Sequence, residues 1–195
     1  PHVAIRHYVM GDRCYDDATS DDMKKMADIT KGALESGALG FTTSRFYGHK
    51  DKSGNLIPGT NATSDEMIAI SEAFAEVGHG TMEIISDHLD KPEELAWIED
   101  IARRTGRPIT TLFTPDIGEG IWDLAERLNP EGFNIRPQVG ARLASVLMTL
   151  EGTINPMRQF PSYSEIKHLS FDEQRKMLLD TKFRAKILAD SPKIS

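Results

Sequence analysis

Cysteine is almost missing from this chain: Cys14 is the only one in 195 residues. That excludes an internal disulfide framework and any cysteine-rich zinc module. An excess of positive charge is missing as well. The 23 Lys and Arg are outnumbered by 30 Asp and Glu, for a net charge of −7. The basic surface that nucleic acid or an anionic membrane would require is therefore absent. No apolar run reaches the roughly 18–20 residues of a membrane-spanning helix, and no signal-peptide pattern opens the chain. There is no HxH, HExxH or CxxC spacing, no nucleophile elbow and no glycine-rich phosphate loop after a strand. The expectation is a soluble, cytoplasmic protein without nucleic-acid or membrane partners. The chain starts at Pro1 instead of Met, which predicts that the natural start lies elsewhere.

What is present is a core-forming composition, 39% hydrophobic and 27% charged, arranged as a loose repeat of amphipathic helix, glycine turn and short apolar strand. The spacing predicts helices over Ser20–Ser36, Asp65–Val77, Pro92–Thr105 and Gly118–Leu128. Thr19 or Ser20 caps the first and Ser64 the second. Pro92 suits a first helical position. Strands are expected at Leu39–Thr43, Thr81–Ser86, Pro108–Phe113 and Phe133–Val139, with an earlier one at His2–Met10. Alternating strands and helices joined by short turns mean a parallel sheet with right-handed crossovers. Both an open doubly wound sheet and a (β/α)8 barrel fit. Polar residues inside the strands (Glu83 in phase with Asp87, Thr111, Arg136 with Gln138) favour a barrel, whose upper lumen forms an active site. A full barrel takes about 250 residues, so the fold class expected is a partial (β/α)8 TIM-type α/β barrel. After Val139 the pattern changes. Residues 140–195 read as an insertion or lid, with helices near Ser170–Asp180 and Lys182–Ala189 and caps at Ser170 and Thr181.

One connection is exceptional. Ser44 to Thr63 spans about 20 residues where strand-to-helix loops usually take about 2–6. Arg45 within it suits a bidentate carboxylate contact. His49 is either a proton shuttle or ligand, or an ordinary loop histidine. Asp87 and His88, after the second strand, are candidates to contact substrate or a metal-bound water; they are equally suited to a helix cap and a surface position. Glu83 is a lumen carboxylate that requires pairing or coordination, with Arg136 as a possible partner. Gln138 and Arg142 flank the last regular strand and either read substrate polar groups or brace the loop. Taken alone, these residues support part of a barrel enzyme and no particular reaction.

Several stretches resemble the N-acyl-D-amino-acid deacylase family of the amidohydrolase superfamily. They are Val9–Arg13, the run ALESGALGFTTSRFYGHKDKSGNLIPGTNATSDEM (Ala33–Met67), IRPQVGARLASVL (Ile135–Leu147), Asn155-Pro156 and DTKFRAKILAD (Asp180–Asp190). The resemblance implies the central portion of a metal-dependent barrel that hydrolyses a non-peptide amide C–N bond in a small N-acyl amino acid. It implies a divalent metal, usually zinc, which activates water, and a late aspartate as base. The HxH pair and that aspartate are absent here, and the middle strand reads MEIISDHLD (Met82–Asp90). The zinc ligands are therefore expected outside this chain, with Glu83 the sole metal candidate within it. Arg45, His49, Gln138 and Arg142 are expected on the substrate side, and Asp87 and His88 as catalytic candidates. A cyclic amidase of the same superfamily and a non-catalytic barrel scaffold are the rival readings.

Overall fold

The computed structural model describes residues 1–114, 118–141, 147–152 and 155–191. The chain falls into two compact units, residues 1–142 and 143–195.

The first unit opens with helix α1, His2–Met10, where the sequence led us to expect a strand. The reason is visible in which side chains are buried: His2, Arg6 and Met10, four residues apart. That is the spacing of one helix face, but two of the three residues are polar, so the stripe is invisible to a hydrophobicity pattern. Helix α2 follows at Ser20–Glu35, then strand β1 (Gly40–Arg45), α3 (Ser64–Val77), β2 (Thr81–Ser86), α4 (Pro92–Thr105), β3 (Ile109–Leu112), α5 (Glu119–Leu128) and β4 (Ile135–Gln138). The expected helices and strands of this stretch are all present, with boundaries shifted by a residue or two. Thr19 caps α2 in a capping box with Asp22, and Thr63, not Ser64, caps α3.

The four strands are all parallel and lie in the order β1-β2-β3-β4. Right-handed crossovers between sequential neighbours put every connecting helix on the same side. Burial alternates accordingly. Phe41 and Thr43, Met82, Ile84 and Ser86, Ile109 and Thr111, and Ile135 are buried, and the apolar members join a core with Met26, Leu34, Met67, Ile70, Phe74, Trp97, Ile98, Ile101, Leu124 and Leu128 from the helices. Thr42, Glu83, Leu112, Arg136 and Gln138, on the opposite face, are exposed. Thr111, expected among the polar lumen residues, faces the helices instead, 1% exposed. The sheet ends on β1 and β4. Pro137 lies in β4, where a missing N–H is tolerated because the strand is an edge. What is established is a four-stranded parallel α/β sheet with alternating helices, and none of the described residues closes it into a barrel.

The second unit contains two helices, α6 (Phe171–Leu179) and α7 (Thr181–Ala189), and short 3-10 turns at Pro156–Gln159 and Pro161–Glu165. Its small core is Tyr163, Ile166, Phe183 and Ile187. Ser170 caps α6 with Glu173, whereas Asp180 caps α7 in place of the expected Thr181. No described helix of either unit is long and apolar enough to cross a membrane.

Candidate functional site

Candidate chemistry collects on the uncovered face of the sheet and on the loops that leave its C-terminal edge. Register brings Thr42 of β1, Glu83 of β2, Thr110 of β3 and Arg136 of β4 into one row across the sheet. One step further along, Ser44 lies beside Ile85 and Leu112 beside Gln138. Glu83 and Arg136 stand two strands apart, about 10 Å in strand spacing, and no ion pair joins them among the described residues.

The loop after β1 shapes this end of the face. It carries a short antiparallel bridge between Lys50 and Leu56. The tip is pinned by Asp51, whose carboxylate accepts hydrogen bonds from Tyr15 Oη at 2.8 Å and from the backbone N–H groups of Ser53 and Asn55. The Tyr15 hydrogen bond, with those of Asn55 and Ser53, holds the Asp51 carboxyl below its ordinary range. The loop returns through Pro58 and Gly59, the latter at φ 93° and so placed that a Cβ there would strike the His2 imidazole. Between loop and sheet lies a pocket of about 240 Å³ lined by Thr42, Ser44, His49, Pro58, Glu83 and Ile85, among others. Within it, Ser44 Oγ and His49 Nδ1 are 2.7 Å apart. The His49 ring is held edge-on to Phe46, centroid to centroid 5.1 Å. Of the expected site residues, His49 and Glu83 therefore share one pocket.

The others are distributed differently. Arg45 is in phase with Phe41 and Thr43 and points to the helix side. Its Nε contacts both Glu94 oxygens, at 2.8 and 3.1 Å, another of its nitrogens donates to the Ala62 carbonyl, and the guanidinium lies over the Trp97 ring at 5.8 Å. Glu94 also accepts from Ser86 Oγ and Trp97 Nε1. The guanidinium expected to meet a substrate carboxylate is thus satisfied by a buried protein carboxylate, and it ties β1 to α4. Asp87 accepts the Tyr47 backbone N–H at 2.8 Å, and His88 Nε2 meets Tyr47 Oη at 3.1 Å, so both brace the β1 loop. Gln138 ends β4 on the open face, exposed. Arg142 lies outside the described residues.

Sequence reasoning missed the buried carboxylates. Asp22, Glu66 and Glu94 each occupy the third position of a helix, in α2, α3 and α4, and each is at most 4% exposed and holds an arginine. Asp22 pairs with Arg13, Glu66 with Arg6 and His2, and Glu94 with Arg45. The signal was present as an acid at a fixed offset from each helix start, a position where a carboxylate is also favoured by the helix dipole. Cys14 is 2% exposed, and burial pushes its thiol pKa up, as suits an unreactive side chain.

A zinc site requires three or four protein ligands. Among the described residues no group of three His, Cys, Asp or Glu could hold a metal ion. Glu83 shares its pocket with one imidazole, and that imidazole already meets Ser44 through Nδ1. These residues do not fit a zinc centre by themselves. No family model, curated protein or solved structure matches the chain.

Proposed function

We propose that the chain forms an arc of a (β/α)8-type barrel in an amidohydrolase that cleaves a non-peptide amide C–N bond, with a small N-acyl-D-amino acid as substrate, in the cytoplasm. One observation carries the reading: sequential parallel strands have every connecting helix on one face and leave the other face lined with polar side chains beside an unusually long strand-end loop. In a doubly wound sheet both faces are covered and the strand order reverses. In a barrel the uncovered face is the lumen, and substrate meets it at the C-terminal ends of the strands. The run that resembles the deacylase family, Ala33–Met67, is the segment that forms β1, the loop and most of the pocket lining on the β1 side.

Within this reading His49 and Glu83 stand on the substrate side, and Gln138 contributes a polar group further around the face. Arg45 organises the edge of the face from behind, and Asp87 and His88 hold the loop. Zinc, which the family resemblance implies, would be held by residues other than those described, so no chemical step through it follows from this chain.

The test is hydrolysis of N-acetyl-D- against N-acetyl-L-amino acids by the complete protein, with metal content measured in the same sample. Preference for the D-series, abolished by a chelator, is the expected result. Turnover of a hydantoin or dihydropyrimidine instead would make it a cyclic amidase, and turnover of neither would overturn the enzymatic reading. The 195-residue chain alone is expected to be inactive. Metal-dependent deacylation by it would show that the metal ligands lie within it.

A further inference from the structure

The Ser44–His49 pair determines which hydrogen-bonding face His49 turns to the pocket. A neutral imidazole has one N–H and one bare nitrogen, and the partner of one nitrogen decides the role of the other. The Ser44 hydroxyl oxygen receives the Phe46 backbone N–H at 3.4 Å and stands 2.7 Å from His49 Nδ1. The hydroxyl carries one proton to give, and Nδ1 is the one side-chain acceptor it meets among the described residues. With Nδ1 accepting that proton, the ring proton is on Nε2. His49 thereby becomes a hydrogen-bond donor to the pocket, not a base. Glu83, which lines the same pocket, is a pure acceptor and makes no ion pair or side-chain hydrogen bond among the described residues. Ile57, Pro58 and Ile85 supply apolar wall in the same pocket.

We propose that this pocket is a binding site for a secondary amide, in which Ser44 is a positioning residue that holds His49 as donor to the amide carbonyl and Glu83 accepts the amide N–H. The geometry supplies one donor and one acceptor beside apolar wall. The choice of an amide over another donor–acceptor group rests on the amide-hydrolase reading above. Binding is measured here without turnover, so either can fail without the other.

The experiment is NMR on the intact protein at pH 8.5. Long-range ¹H–¹⁵N correlations report the protonated nitrogen of His49, and N-methylacetamide, N,N-dimethylacetamide and methyl acetate are titrated as probes. The expected result is a bare Nδ1 and a protonated Nε2, with N-methylacetamide binding more tightly than the two probes that lack N–H. Ser44→Ala should mix the two tautomers and weaken N-methylacetamide about fivefold, the scale of one neutral hydrogen bond. Ser44→Thr, which keeps the hydroxyl, should restore both. Glu83→Leu should abolish the preference for N-methylacetamide over N,N-dimethylacetamide. A proton on Nδ1 in the native protein overturns the role given to Ser44. Equal binding of the three probes, or a preference that survives Glu83→Leu, overturns the amide site. If the site holds while no N-acyl amino acid is hydrolysed, the amide pocket stands and the enzymatic reading falls.

Discussion

Glu66 is 1% exposed and has two cationic or potentially cationic neighbours, Arg6 through both oxygens at 2.7 and 2.6 Å and His2 Nε2 at 2.7 Å. Arg6 also donates to the backbone carbonyls of Cys14 and Asp16, and His2 Nδ1 meets Thr43 Oγ1 at 2.9 Å. Burial by itself would raise the Glu66 pKa, but the hydrogen bonds from His2 and Arg6 and the Arg6 charge outweigh it and hold it below its ordinary value. Burial dominates at His2 and lowers its pKa from 6.5 despite Glu66. The imidazole is therefore neutral, with its proton on Nε2 toward the carboxylate. Both shifts have the same consequence: the unfolded chain binds more protons than the native one, so stability falls as pH falls. The His2 contribution is present above about pH 6.5 and lost below it, and the Glu66 contribution is lost below about pH 4.5. Urea denaturation at pH 8, 5.5 and 3.5 should show this two-stage loss, and His2→Asn should flatten the first stage. Glu66→Gln leaves Arg6 buried and unpaired, and should cost about 3–5 kcal/mol at pH 7. This cluster was illegible in the sequence because its members lie up to 64 positions apart. The third position in the helix sets Glu66 apart from Asp65 beside it, but nothing local records that Arg6 and His2 will meet it.

At the scale of elements, local rules worked where local forces decide. The apolar period of α3 and α4, the glycine ends and the capping residues are short-range features, and those elements were predicted to within a residue or so. They failed at α1, whose buried face is made of His2 and Arg6, because only α3 makes a polar stripe worth burying. Helix α4 exchanges ion pairs with both neighbours: Arg104 reaches Glu72 of α3, and Glu99 is shared by Arg103 and by Arg127 of α5. Hydrogen bonds from Arg127 and Arg103 push the Glu99 pKa down to about 2. Its contribution is thus complete above about pH 4.5 and lost as pH falls toward 2. Glu99→Gln should lower stability by about 0.5–1 kcal/mol at pH 7, with the difference from wild type vanishing near pH 2. Between β1 and β2 the limit is steric. A Cβ on Gly40 would collide with the Thr81 carbonyl oxygen. Gly40→Ala should therefore lower the melting temperature, by the equivalent of about 1–3 kcal/mol, without changing helix content in circular dichroism.

Across the whole molecule, burial is uneven. Strands β2 and β3 have partners on both sides, β1 and β4 on one, and the second unit rests on four buried apolar or aromatic side chains. Amide hydrogen exchange should be slowest in Met82–Ile84 and Ile109–Thr111. It should be faster in β1 and β4, and fastest among the helical elements in α6 and α7. Exchange in α6 and α7 as slow as in β2 would contradict this ordering. The candidate site sits at the exposed end of the same gradient, on the uncovered face, where side chains are free to meet a ligand.

The sequence by itself determined the alternation of strand and helix, the parallel sheet that alternation requires, the missing metal motif and the abnormal length of the β1 loop. All four follow from period, length or composition, which are read without knowing what touches what. Only the tertiary structure decided which face each polar residue takes. Strand β1 runs two residues past its expected end and so places Ser44 and Arg45 on opposite sides of the sheet, because successive strand residues alternate. Arg45 went to Glu94, a buried carboxylate 49 positions away, while Ser44 went to His49. A guanidinium goes wherever a desolvated carboxylate needs it, and no local pattern records where that carboxylate will be.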